Sequence, residues 1–70
     1  MKFRFTDHAR YRLFSQRDIS AEDVKQAILR PDFQYETRDG KIVARKSFLR
    51  KTIEVVYIKR GNEYIIITSY

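Results

Sequence analysis

His8 and Arg12 stand four residues apart. In a helix that spacing stacks them on one face, one turn from each other. His8 is the chain's one histidine, and histidine titrates nearest to neutrality, so it is a candidate general acid or base. Its structural alternative is a ring packed at a helix start and hydrogen-bonded to backbone. A guanidinium one turn away disfavours imidazolium formation and can bind a phosphate beside it; on a plain surface helix Arg12 is only a solvated side chain. Arg45 and Ser47 flank Lys46, so in a strand they point to the opposite face from it. An arginine on a strand face can hold a scissile phosphate and stabilise charge in its transition state. Tyr35, Tyr57, Tyr64 and Tyr70 offer rings for stacking on unpaired bases, or serve simply as good strand residues. Tyr70, the last residue, would place its ring and carboxylate beside Thr68 at the end of a sheet.

Positioning these groups requires a sheet and two helices. The run Thr52–Ile58 is β-branched or aromatic at nearly every position and apolar on both faces, which predicts a strand inside the sheet, covered on both sides. Turns at Leu49-Arg50-Lys51 and Arg60-Gly61-Asn62 predict a hairpin partner on either side of it. Residues 2–6 alternate and read as a short edge strand. Thr6 or Asp7 can cap a first helix near residues 7–17, with Ala9, Leu13 and Phe14 on its apolar face. Ser20 followed by Glu22 and Asp23 starts a second helix near 20–30. Val24, Ala27 and Ile28 form its buried stripe, and Pro31 ends it. Strands follow at 33–37, 42–48 and 63–70, with Asp39-Gly40 as a two-residue hairpin loop. The predicted fold class is α+β: two N-terminal helices on one face of a small antiparallel sheet, β-α-α-β-β-β-β. Leu13, Val24, Ile28, Val55 and Ile67 are its expected core.

Seventy residues predict a single domain spanning 1–70 with a small core. There is no cysteine, so no disulfide or thiolate site is expected, and a lone histidine argues against a zinc site made from this chain alone. No apolar run approaches the roughly 18 residues of a membrane span, and no signal-peptide pattern is visible; a soluble, cytoplasmic protein is expected. The net charge of +6 and pI near 9.9 favour anionic partners, nucleic acid or an acidic protein. Lys41, Arg45, Lys46, Arg50 and Lys51 fall in a segment, Gly40 to Ile53, without any acidic residue. That imbalance points to a phosphate-binding surface.

Phe5-Thr6-Asp7-His8-Ala9 with Arg12, then Arg17-Asp18-Ile19-Ser20, then Ile67-Thr68-Ser69-Tyr70, resembles a family of small, mostly uncharacterised prokaryotic proteins. Its members read F-T-x-H-A-x-x-R, then R-x-I-S, and close on T-x-Y. That family is similar to the BrnT and RelE toxins, of the barnase–EndoU–colicin–RelE ribonuclease fold. Arg17 lies five residues beyond Arg12, where the family pattern has four, which rotates it by roughly 100° on a helix. The resemblance implies RNA cleavage or RNA binding, on or off the ribosome, with an acidic antitoxin as protein partner. The expected function is a toxin-type endoribonuclease needing no metal or other cofactor. His8 would be acid or base, Arg12 and Arg45 phosphate stabilisers, and Tyr70 a stacking or orienting group. Lys41, Lys46, Arg50 and Lys51 would track the RNA backbone. A non-catalytic RNA- or ribosome-binding module is the alternative, and a structural partner of an acidic protein the third.

Overall fold

The computed structural model describes residues 2–15 and 19–69, the Phe14 side chain excepted. The chain runs β1 (Lys2–Phe5), α1 (Asp7–Ser15), α2 (Ala21–Leu29), β2 (Phe33–Glu36), β3 (Ile42–Ser47), β4 (Thr52–Arg60) and β5 (Glu63–Ser69). The five strands form one sheet in the order β1-β5-β4-β3-β2. Strands β2 to β5 are an antiparallel meander, and β1 pairs with β5 in parallel. The sheet is therefore mixed, where the sequence predicts an antiparallel one. The two helices carry the chain from one sheet edge to the other, and the meander returns β5 beside β1 in the same direction.

Local chemistry explains the helix starts. The Thr6 N–H donates to the Ile66 carbonyl at 3.0 Å, and its hydroxyl donates to the Ile67 carbonyl at 3.2 Å. The same hydroxyl accepts the Ala9 N–H at 3.2 Å. Thr6 thus caps α1 and ties it to β5. Ser20 and Asp23 form a reciprocal capping box on α2, which supplies partners for two otherwise unpaired N–H groups. Helix α2 stops at Leu29 with Arg30 as its cap, because Pro31 disfavours helical backbone before it. Gly61, at φ +59°, opens the two-residue loop between β4 and β5, the position where such hairpins need positive φ. The β2–β3 loop is longer than predicted: the Gly40 N–H closes a turn on Thr37, leaving Arg38, Asp39 and Gly40 as a three-residue loop with Gly40 left-handed at φ +86°.

Both helices pack on one face of the sheet. Ala9, Ile19, Val24, Ala27 and Ile28 meet Ala44, Ile53, Val55, Tyr57, Tyr64 and Ile66, with Phe3, Phe5, Leu13 and Ile42 at the margin. Phe3 stacks on Tyr64 at 5.3 Å, and Tyr57 meets Tyr64 edge-on at 5.5 Å. Val24, Ile28 and Val55 are buried as expected, while Leu13 and Ile67 are half-buried. Ile67 follows Ile66 and so takes the face opposite the core by strand alternation; next to it a register shift, with Tyr57 pairing Ile66 but Val56 pairing Thr68, gives β5 one extra residue. Such a bulge breaks the alternation. It puts Ser69, not Thr68, in the covered layer after Ile66.

The opposite face of β4 has no layer over it among the described residues. Val56 and Ile58 are half-buried by their neighbours in the sheet. The strand is interior to the sheet, as its composition implies, but cover on both sides is not realised.

Candidate nucleic-acid interface

Three of the predicted backbone-tracking lysines have structural partners. Lys46 lies on the helix-covered face, and its Nζ donates to the Arg30 carbonyl at 2.9 Å, at the C-terminal end of α2. Lys51 Nζ donates to Asp23 Oδ2 at 2.7 Å, tying the β3–β4 turn to the start of α2. That bond, opposed by partial burial and helped by Ser20, holds the Asp23 carboxyl below its ordinary range. Lys41 sits 3.1 Å from Asp39 at the β2–β3 loop. The Asp39 carboxyl is lowered first by the Thr37 hydroxyl and then by Lys41. Arg50 is exposed in the β3–β4 turn. The five cations therefore do not form one face: Arg45 points to the uncovered side of the sheet and Lys46 to the covered side.

His8 is exposed in the first turn of α1, and Arg12 is half-buried one turn on. Helix α1 packs on β5 and β1, whereas Arg45 stands on β3, beside Glu54 at 3.8 Å. Two strand spacings, roughly 10 Å, and the thickness of the sheet separate Arg45 from the helix that carries His8 and Arg12. Tyr70 and Arg17 lie outside the described residues. Burial, with a smaller contribution from Tyr64, raises the Tyr57 phenol, so this ring stays a protonated core group. Tyr64 is in the core beside it, and of the tyrosines considered for stacking Tyr35 is the one described as exposed.

What the sequence pattern did not bring together is the uncovered sheet face. Its centre is apolar: Val56, Ile58, Ile65 and Ile67 are half-buried there, and Val43, between Tyr35 and Val56 in the register, is buried. At the β2 edge Phe33 and Tyr35 are exposed, their ring centroids 5.8 Å apart and tilted by 54°. The register sets them opposite Arg45 and Val43. At the β1 edge a groove of about 610 Å³ is lined by Ile58, Ile65 and Ile67 and by Arg4, Arg10 and Arg60. These three arginines come from β1, α1 and β4, and each is exposed. None makes an ion pair with another described residue. Arg4 had a readable signal, since alternation with Phe3 and Phe5 sends it to the far face. Its meeting with Arg10 and Arg60 had none, because it depends on the parallel β1–β5 pairing.

Among the described residues no cluster of three or more His, Cys, Asp or Glu is placed to hold a metal ion, and no helix is long and apolar enough to cross a membrane. A face with an apolar centre, aromatic rings at one edge and guanidiniums at the other can stack bases and bind phosphates. Compared with known proteins, residues 5–70 match the model of a family described as Domain of unknown function (DUF4258). Neither a curated protein nor a solved structure matches the chain.

Proposed function

We propose a function for a chain that belongs to the DUF4258 family: it binds single-stranded RNA across the uncovered face of its sheet. The observation that carries this reading is the make-up of that face, with Phe33 and Tyr35 at one edge and Arg4, Arg10 and Arg60 at the other. Aromatic platforms accept any base, and an arginine rim supplies the phosphate attraction. The net charge of +6 draws polyanions to the chain in general. We place the protein in the cytoplasm, acting on RNA free or on the ribosome, with an acidic antitoxin as a protein partner. The likeness of its motifs to the BrnT and RelE toxins supports that setting by analogy. The test is fluorescence anisotropy with a labelled, unstructured oligoribonucleotide. Binding that weakens steeply with salt, and weakens with Phe33→Ala and Tyr35→Ala, is the expected result. No binding at low salt, or binding indifferent to both rings, rejects this reading.

A second reading, metal-independent cleavage, is favoured by one observation. His8 is exposed next in sequence to Asp7, which lines the arginine groove. In such cleavage the RNA 2′-hydroxyl attacks the adjacent phosphorus, and the 5′-oxygen of the next nucleotide leaves with a proton. His8 would move one of those protons, with Arg12 beside the phosphate. Incubating labelled RNA in EDTA checks it. His8→Gln should slow cleavage about 10²- to 10⁴-fold and leave affinity nearly unchanged. An intact His8→Gln activity, or a parent protein that leaves RNA uncut, removes cleavage and leaves the binding module.

A further inference from the structure

The groove at the β1 edge concentrates charge at one point. Arg4 is on the uncovered side of β1, level with Ile65 of β5, which pairs in turn with Ile58 of β4. Arg60 is at the end of β4, one register row away. Arg10 comes from α1. That neighbouring row runs Lys2, Glu63 and Arg60 across β1, β5 and β4, so Glu63 stands between a lysine and the arginine. Within the groove the one carboxylate is Asp7. With Lys2 and Glu63 of the adjoining row counted in, four cations against two carboxylates leave an excess of two positive charges. The floor is isoleucine, which cannot hydrate or screen an anion held above it, so each charge–charge contact there is stronger than in open water.

A phosphodiester inside an RNA strand carries one negative charge. A phosphomonoester carries about two at pH 7 and presents three strong acceptor oxygens. Guanidinium forks suit such a group because they can bind it bidentately. Backbone phosphates follow one another along a strand and are matched by a spread of cations; this groove gathers its cations instead.

We infer that the groove lined by Arg4, Arg10 and Arg60 is a phosphomonoester site and, on the RNA reading above, the seat of the phosphorylated end of a strand. The isoleucine floor would take the terminal sugar or base. The remaining nucleotides would run over Val56 toward Tyr35 and Phe33, which stand exposed at the far edge. Five strands place the two edges roughly 19 Å apart, so the inference applies to short oligonucleotides and to strand ends.

The test compares one unstructured oligoribonucleotide in three forms: 5′-phosphorylated, 3′-phosphorylated and bearing hydroxyls at both ends. It includes adenosine 5′-monophosphate as the smallest phosphomonoester, followed by NMR shifts of the arginine side chains. One phosphorylated form should bind about tenfold more tightly than the hydroxyl form, the worth of one added charge-assisted hydrogen bond; which form does so identifies the end. Arg4→Gln, Arg10→Gln and Arg60→Gln should each erase that preference while keeping the native amide spectrum. Arg50→Gln, in a distant turn, should preserve it. Equal affinity for all three forms overturns the inference and leaves RNA binding standing. Binding of the mononucleotide at these arginines without binding of any oligonucleotide supports the site and rejects the RNA reading. If neither the mononucleotide nor any oligonucleotide perturbs Arg4, Arg10 or Arg60, the groove is not a phosphate site.

Discussion

Lys51 and Arg4 have the same charge and different work. Lys51 is held by Asp23, so its charge is largely spent inside the fold; Arg4 is exposed and has no ion-pair partner among the described residues. Lys51→Ala should lower stability by about 1 kcal/mol yet leave the salt dependence of RNA binding unchanged. A flattened salt dependence with intact stability would return Lys51 to the RNA surface. The same pair sets an acid response. The Asp23 carboxyl is lowered in the folded chain, so its contribution is fully present above the ordinary carboxylate range. It is lost as pH falls through the lower, folded-state value. Urea unfolding of the parent should therefore weaken below about pH 4, and Asp23→Asn should weaken less over that interval while starting less stable at pH 7. Parallel pH curves for the two proteins would show that Asp23 is not responsible.

At the scale of elements, β5 distributes its side chains through its bulge. Strict alternation would carry Ile65 and Ile67 to one face and Ile66 and Thr68 to the other. Ile66 in the core and Ile65 and Ile67 in the arginine groove follow that alternation, and the extra residue then brings Ser69 into the covered layer in place of Thr68. Ile28 and Ile67, both expected in the core from their patterns, should therefore behave differently. Ile28→Ala should cost roughly 2–5 kcal/mol in chemical unfolding, because Ile28 is buried between α2 and the sheet. Ile67→Ala should cost less, about 1 kcal/mol, since Ile67 is only partly buried and lies outside the helix-covered core. The reverse order of costs would mean that the helices cover the other face. Ser20→Ala, which removes one half of the α2 capping box, belongs at about 1 kcal/mol.

For the whole molecule, the asymmetry of the two sheet faces decides what the positive charge can do. One face is closed by helices, and lysines around it secure those helices. The other is open and has arginine at both sides. RNA affinity should fall with salt in proportion to the phosphates neutralised, about 0.7 in log–log slope for each contact with a single strand. Replacing Arg4 and Arg60 together by Gln should flatten that slope by about 1.4, measured by anisotropy from low to physiological salt. Replacing Arg50 and Lys51 together should flatten it by less, because Lys51 is engaged with Asp23. If the second pair changes the slope more than the first, RNA lies across the β3–β4 turn and not the β1 edge.

Most of the element order was legible in local patterns, because its causes are local. Ser20 with Asp23 caps α2 within one turn, Pro31 ends it, and Gly61 supplies the one positive φ that its hairpin loop requires. The stripe Val24, Ala27, Ile28 identified its buried side without reference to any other element. The charge and the basic run from Lys41 to Lys51 were equally plain, but their use was not. Whether a lysine meets an RNA phosphate or a helix carboxylate depends on residues far along the chain, as with Lys51 and Asp23, 28 positions apart. The parallel pairing of β1 with β5 joins Phe3 to Tyr64 across nearly the whole chain, and no turn residue encodes it. The bulge that brings Ser69 inward in place of Thr68 has no local marker in Ile65-Ile66-Ile67-Thr68, where every residue suits a strand equally well. The arginine groove follows from the first of these features, the β1–β5 pairing. Sequence alone determined which residues are cationic, which are apolar and where the helices begin; only tertiary structure decided which cations share a surface, because that depends on contacts between segments whose separation carries no periodicity.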